Sequence, residues 1–138
     1  MQKKINIQNK KARFEYEILD KFVAGIQLTG TEIKSIRLSQ ARITESFCEF
    51  NDRGELFIVN MYIQEYMFGH HFNHKPKSER RLLLNKRELR SLKKDVEAKG
   101  NTIVPLKLFI NDRGFAKLEI ALAKGKQTHD KRNVIKDR

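Results

Sequence analysis

One cysteine, Cys48, is all this 138-residue chain contains, so no internal disulfide can staple it. Lying in an apolar run, Cys48 reads as a small core residue of a reducing compartment. Long hydrophobic runs are missing too. No window approaches the roughly 18 uninterrupted apolar residues a spanning helix needs, and residues 1–13 lack the apolar stretch of a secretory leader. A cytoplasmic protein that does not enter the membrane is therefore expected. The motifs H-E-x-x-H, P-loop and G-x-S-x-G are absent, which leaves an enzyme reading weak. Acids are few beside bases: 17 Asp and Glu stand against 29 Lys and Arg, a formal net charge of +12. Such an excess opposes compaction and is best tolerated when a polyanion takes up part of it, which points to nucleic acid or an anionic surface as partner.

What is present reads as one domain of mainly β structure. Residues 1–11 carry Lys3, Lys4, Lys10 and Lys11 with no acid, and they read as a mobile basic arm. From Phe14 the pattern alternates through Tyr16 and Ile18 and resumes at Ile26 and Leu28 after Gly25, as a strand does; Phe14 and Tyr16 are expected in the core. Thr29 and Glu32 form a T-x-x-E capping box ahead of a short helix carrying Ile33 and Ile36. Phe47–Phe50 and Leu56–Ile63 flank Asn51-Asp52-Arg53-Gly54, a hairpin turn, and the same four residues recur at 111–114 between two further alternating runs, 102–110 and 115–123. Asn85 is placed to N-cap a second helix, with Glu88 three residues on, Leu89, Leu92 and Val96 on one face, and Gly100 closing the end. Lys86, Arg87, Arg90, Lys93, Lys94 and Lys99 occupy its outer face.

These elements predict a small antiparallel OB-fold-like β-barrel with two to three helices, spanning residues 12–123. Residues 124–138 hold six basic residues, two acids and only Val134 and Ile135 as sizeable apolar groups. Such a segment cannot order itself and reads as a disordered basic C-terminal tail. The histidines His70, His71 and His74 suggest a metal cluster, but a structural site needs about four ligands and Cys48 and His129 sit in distant segments, so no metal is expected. No cofactor is expected either. Basic segments interleaved with Tyr62, Tyr66, Phe68 and Phe72 favour RNA, whose unpaired bases stack on such rings.

The residues also resemble a known family. Asn9-Lys10-Lys11-Ala12, the run Ala24-Gly25-Ile26-x-Leu28-x-Gly30-Thr31-Glu32-Ile33-Lys34-Ser35-Ile36-Arg37, Asn73-His74-x-Pro76, Arg81-Leu82-Leu83-Leu84-Asn85-Lys86-x-Glu88, Val104-Pro105-Leu106, Ala123-Lys124-Gly125-Lys126 and Asp130-Lys131-Arg132 occur in the order and spacing of the SsrA-binding protein family. The resemblance implies an OB-type barrel that binds the tRNA-like domain of transfer-messenger RNA. It also implies delivery with elongation factor Tu to a stalled 70S ribosome, where the C-terminal tail tests the empty mRNA channel beside the 16S rRNA decoding region. By motif position it assigns Asn9, Lys10, Lys11, Leu83, Asn85, Lys86 and Arg87 to RNA, and Lys124, Lys126, His129, Asp130, Lys131 and Arg132 to the ribosome. Two departures stand out: Val23 occupies a position where the family often carries Glu, and family tails commonly run past the position of Arg138.

A general OB-type RNA chaperone or ribosome-associated factor would account for the same charge and fold, and competition with bulk tRNA separates the two. Either way, binding should be salt-sensitive, because each phosphate neutralised by Lys or Arg releases condensed counterions. Neutralising about six phosphates should cost roughly a thousandfold in RNA affinity between about 50 and 200 mM salt. A titration with no salt dependence would sink the electrostatic footprint.

Overall fold

The computed structural model describes residues 4–98 and 100–126, with the His70 side chain left out. Nine strands and three α-helices occur among them: β1 (Asn6–Gln8), α1 (Lys10–Glu15), β2 (Tyr16–Ile26), α2 (Gly30–Arg37), β3 (Ala41–Arg42), β4 (Phe47–Phe50), β5 (Leu56–Val59), β6 (Tyr62–Ile63), β7 (Arg80–Leu83), α3 (Lys86–Val96), β8 (Asn101–Ile110) and β9 (Ala116–Gly125). A single 3-10 turn, His70–Phe72, interrupts the loop before β7. The large sheet runs β8-β4-β5-β7-β2-β9, and β9 pairs back onto β8, so the sheet closes on itself with all its pairs antiparallel. Closure leaves few of the exposed edges that invite aggregation, with β1 the strand left at the border. The mainly β, OB-like architecture with three helices is the one the sequence predicts.

Both hairpin turns form as read. Asn51 Oδ1 accepts from the backbone N–H of Arg53 at 3.0 Å and of Glu55 at 2.9 Å. Asn111 repeats the pattern with Arg113 at 3.1 Å and Phe115 at 2.9 Å. Gly54 and Gly114 take φ of 78° and 87°, a region in which a Cβ is disfavoured. Asn51 also donates to Glu55 at 2.8 Å, and this bond, aided by Arg81 and Arg53, holds the Glu55 carboxyl below its usual range. The N-caps of α2 and α3 are complete capping boxes, Thr29 with Glu32 and Asn85 with Glu88.

Four expectations change. The arm does not stay free: from Asn6 the chain is a strand, with Asn6, Ile7 and Gln8 opposite Phe109, Leu108 and Lys107 of β8. Ile5 is buried and Ile7 packs on the core, so these few apolar residues suffice once β8 offers its hydrogen-bonding groups. Phe14 is helical, in α1, and 67% exposed rather than in the core. β9 runs to Gly125, past the expected barrel end at 123. α3 ends at Val96, and Gly100, at φ 86°, serves the turn into β8.

The alternation of β8 and β2 is not continuous either. Register shifts lie between Pro105 and Lys107 in β8 and between Ile18 and Asp20 in β2. One extra residue flips every later side chain to the other face. Ile103 and Leu108 therefore belong to the main core, whereas Val104 and Leu106 join Ala12, Ala121 and Ala123 in a second core against which Tyr16 and Ile18 pack. Cys48 lies in the main core, where burial pushes its thiol pKa up, so it is unreactive.

One buried ion pair joins α2 to the barrel. Arg80 Nε donates to Glu32 Oε2 at 2.6 Å, Nη1 to the Met61 carbonyl at 2.7 Å, and Nη2 to the Lys75 and Pro76 carbonyls at 3.2 and 3.1 Å. The other Glu32 oxygen accepts from the Thr29 N–H at 2.8 Å. Arg80→Ala should cost about 3–5 kcal/mol in urea unfolding, because it strands a buried carboxylate. Glu32→Gln with Arg80→Met together should cost less than the two single changes summed, since neither leaves the other's charge unpaired.

Candidate nucleic-acid interface

Helix α3 carries the densest charge. At about 100° per residue, Lys86, Arg87, Arg90, Lys93 and Lys94 fall within about a third of its circumference. All five are exposed. Buried Leu92, with half-buried Leu89 and Val96, faces the main core instead. No ion pair involves these five cations among the described residues; the pairs found are Lys11–Glu45, Arg13–Glu119, Arg80–Glu32 and Arg81–Glu55. Lys99, expected on the same face, lies outside the described residues.

The stripe begins beside the Leu83–Asn85 corner. Leu83, 45% exposed, closes β7 opposite Gly25 of β2. A Cβ on Gly25 would lie 3.4 Å from the Leu83 Cβ, so the absent side chain leaves an open shelf there. Asn85 Oδ1 accepts from the Glu88 N–H at 2.8 Å, which makes it the N-cap, while the residue stays exposed. Lys86 and Arg87 follow in the first turn. Val23 and Phe115, exposed by 53% and 64%, and Lys117, which pairs with Gly25, extend this surface. Neither Phe115 nor Lys117 is singled out by the sequence reading. The available signal was position: Phe115 follows the second Asn-Asp-Arg-Gly turn directly, and Lys117 is the first outward residue of β9.

The remaining assigned residues sit elsewhere. Asn9 is buried: Oδ1 accepts from the Ala12 N–H at 3.1 Å, and Nδ2 donates to the Pro105 carbonyl at 2.9 Å and the Ile43 carbonyl at 3.5 Å. Its side chain is spent on holding the start of α1 against β8, which leaves Lys10 and Lys11 to face solvent. Lys11 approaches Glu45 at 3.5 Å, an exposed pair worth little. Lys124 stands opposite Glu17 near the start of β2, and the Lys126 N–H donates to the Glu15 carbonyl at 3.0 Å, its Nζ 5.8 Å from the Phe14 ring centre. Leu83 and Lys124 thus meet β2 at opposite ends, about 25 Å apart along the strand. His129, Asp130, Lys131 and Arg132 lie outside the described residues.

His74 and His71 lie in different surroundings. His74 is buried, with Nε2 2.9 Å from the Ile63 carbonyl and Nδ1 2.9 Å from Thr31 Oγ1. A carbonyl only accepts, so Nε2 carries a proton toward Ile63, while Nδ1 and the Thr31 hydroxyl share a hydrogen bond. His71 is exposed. No group of three or more His, Cys, Asp or Glu able to hold a metal occurs among the described residues, nor is any helix there long and apolar enough to cross a membrane.

Together these features define a small closed OB-type barrel that displays an unpaired cationic stripe beside an apolar shelf. The model of the family described as SmpB protein matches residues 6–138. The SsrA-binding protein of Flavobacterium psychrophilum is 66% identical over 138 residues, covering 100% of this chain and 91% of the relative. That of Christiangramia forsetii is 62% identical, covering 100% and 87%, and that of Brucella melitensis 54% identical over 136 residues, covering 99% and 85%. A solved chain described under "tmRNA-SmpB: a journey to the center of the bacterial ribosome" superposes with a TM-score of 0.74 at 48% identity, covering 89% of this chain and 85% of the other. The chain belongs to the SmpB, or SsrA-binding protein, family.

Because Asn9 combines a helix cap with two carbonyl contacts, Asn9→Ala should lower stability by about 2 kcal/mol in denaturant unfolding. Amide exchange at Ala12 should speed up with it. A change below about 0.5 kcal/mol would show that α1 is held by its apolar contacts alone.

Proposed function

We propose that this protein binds the tRNA-like domain of transfer-messenger RNA and accompanies it to stalled ribosomes. The observation that carries this reading is the cationic stripe of α3 beginning at the Leu83–Asn85 shelf. Five unpaired cations on one helix face carry a standing electrostatic cost unless a polyanion meets them. The apolar shelf beside them suits a flat sugar or base surface. Family membership and the solved relative described with tmRNA support the choice of RNA. In this reading Leu83, Asn85, Lys86 and Arg87 contact the RNA, joined by Lys10 and Lys11 on α1. Asn9 acts through α1 rather than by touching RNA.

The segment from Lys124 serves the ribosome. Its composition, six bases with almost nothing apolar, suits a partner rich in phosphate, and beyond the end of β9 at Gly125 it has neither proline nor glycine, so that part can become helical on binding. His129, Asp130, Lys131 and Arg132 then reach the 16S rRNA decoding region and report an mRNA channel without codons. Elongation factor Tu is the co-carrier, the protein itself performs no bond chemistry, and the setting is the cytoplasm.

Two variants test this division in paired assays, a titration with isolated transfer-messenger RNA in excess bulk tRNA and a peptide-tagging assay on ribosomes with truncated message. Lys86→Glu with Arg87→Glu puts acids in the first turn of α3, where the helix dipole favours them, so stability should hold or rise by about 0.5 kcal/mol. RNA binding and tagging should both fall by tenfold or more. Asp130→Ala, Lys131→Ala and Arg132→Ala together should leave RNA binding within a few-fold and largely abolish tagging. Equal loss of both activities in the triple variant, or normal tagging by it, overturns the division. Equal displacement by bulk tRNA would leave only a general RNA chaperone.

A further inference from the structure

We propose a second RNA contact, built from different elements: a rigid aromatic platform on the loop between β6 and β7 that stacks unpaired bases. This inference rests on the RNA-binding reading above and adds a site to it. Met67, Phe68 and Phe72 are exposed by 74%, 66% and 89%. Such side chains on a floppy loop would collapse together or onto the barrel. Here the backbone holds them out.

Asn73 clasps the loop across its base: Nδ2 donates to the Tyr66 carbonyl at 2.7 Å while Oδ1 accepts the Tyr66 N–H at 2.9 Å. Inside the clasp the Gly69 N–H donates to the Tyr66 carbonyl at 2.9 Å and the Phe72 N–H to the Gly69 carbonyl at 3.1 Å. A Cβ on Gly69 would stand 2.5 Å from Asn73 Nδ2, so only glycine permits the closure. His74, the next residue, is locked by Thr31 and Ile63, which fixes the loop to α2 and β6. The rings are therefore presented before any partner arrives, and the ordering cost of binding is reduced.

The surroundings select the partner. Lys34 Nζ lies 5.5 Å from the Tyr66 ring centre and the Arg42 guanidinium 4.7 Å from that of Tyr62. Tyr66 and Phe68 meet edge to face at 5.6 Å. Lys75 and Lys77 are exposed on the same segment, and Glu65 is the one acid between residues 64 and 77. Aromatic faces ringed by cations match single-stranded RNA, in which bases stack on rings while the phosphates between them meet Lys and Arg. A duplex keeps its bases stacked on each other and cannot use Phe68 and Phe72 in this way. Helix α3 itself carries no aromatic residue.

The chain contains no tryptophan, so Phe72→Trp introduces a single optical reporter in the intact protein. Its emission should be quenched by a short oligoadenylate and unaffected by an RNA duplex of equal phosphate content. Phe68→Ala with Phe72→Ala should weaken oligoadenylate binding by roughly tenfold or more, as loss of base stacking does, with duplex binding within twofold. Phe68→Leu with Phe72→Leu keeps apolar area without a stacking face and should lose as much as the alanine pair. Wild-type affinity in either double variant, or unquenched indole emission from the Phe72→Trp variant with oligoadenylate bound, overturns the proposal and assigns the loop to a protein partner. Equal loss on single strand and duplex overturns it too, as an electrostatic effect. Failure of the unsubstituted protein to bind any RNA would instead reject the RNA-binding reading itself.

Discussion

Glu32 and Arg80 are the point on which several otherwise separate parts of the molecule depend. Burying two charges is costly, and their attraction offsets that cost only when the remaining donors and acceptors are also satisfied. Here they are. Arg80 reaches three backbone carbonyls besides Glu32, and Glu32 caps the first turn of α2 with its second oxygen. One ion pair therefore ties α2 to the end of β5–β6, to the loop around Pro76 and to the start of β7. Leu83 lies three residues beyond Arg80 on β7, and the Asn73 clasp lies one residue before His74. The pair thus anchors the start of the strand that carries the apolar shelf, while the aromatic loop is fixed separately, through His74 to Thr31 and Ile63.

A second constraint comes from the small size of the chain. A barrel of this length has a core filled mainly by aliphatic side chains, and the two register shifts in β2 and β8 let the same strands serve a further core beneath α1. Without the shift, Leu108 and Ile110 would share the outer face with Val104 and Leu106, and the barrel interior would lose them. The second core also gives Asn9 its task, since α1 has only Ala12 fully buried and must be fixed by hydrogen bonds as much as by packing.

Charge is distributed with a similar economy. The ion pairs that form among the described residues lie on α1, on the sheet and in the barrel interior, leaving the α3 cations without acidic partners. Self-repulsion along that helix is tolerable because both capping-box residues are satisfied and Leu92 is fully buried. The result is a face that stays folded while remaining electrostatically unsatisfied, the condition a phosphate-binding surface needs.

The repeated Asn-Asp-Arg-Gly turns, both capping boxes, the Cys48 core position and the basic face of α3 were all legible in the sequence, because each depends on residues within a few positions of one another. Motifs in family order made membership legible too. The fate of residues 6–15 was not legible: a short basic segment with Ile5 and Ile7 becomes a strand only because β8 presents free hydrogen-bonding groups beside it. Nor could alternation reveal where a strand changes face, since one bulged residue in β2 or β8 leaves no mark in a pattern of apolar residues. Asn9 looked like a surface contact and is a buried brace, a difference set by carbonyls of Ile43 and Pro105 that lie far away in sequence. Local hydrogen bonding and periodicity were therefore written in the chain itself, whereas the assignment of each side chain to core, brace or open surface was decided by which distant backbone groups the closed barrel brought alongside it.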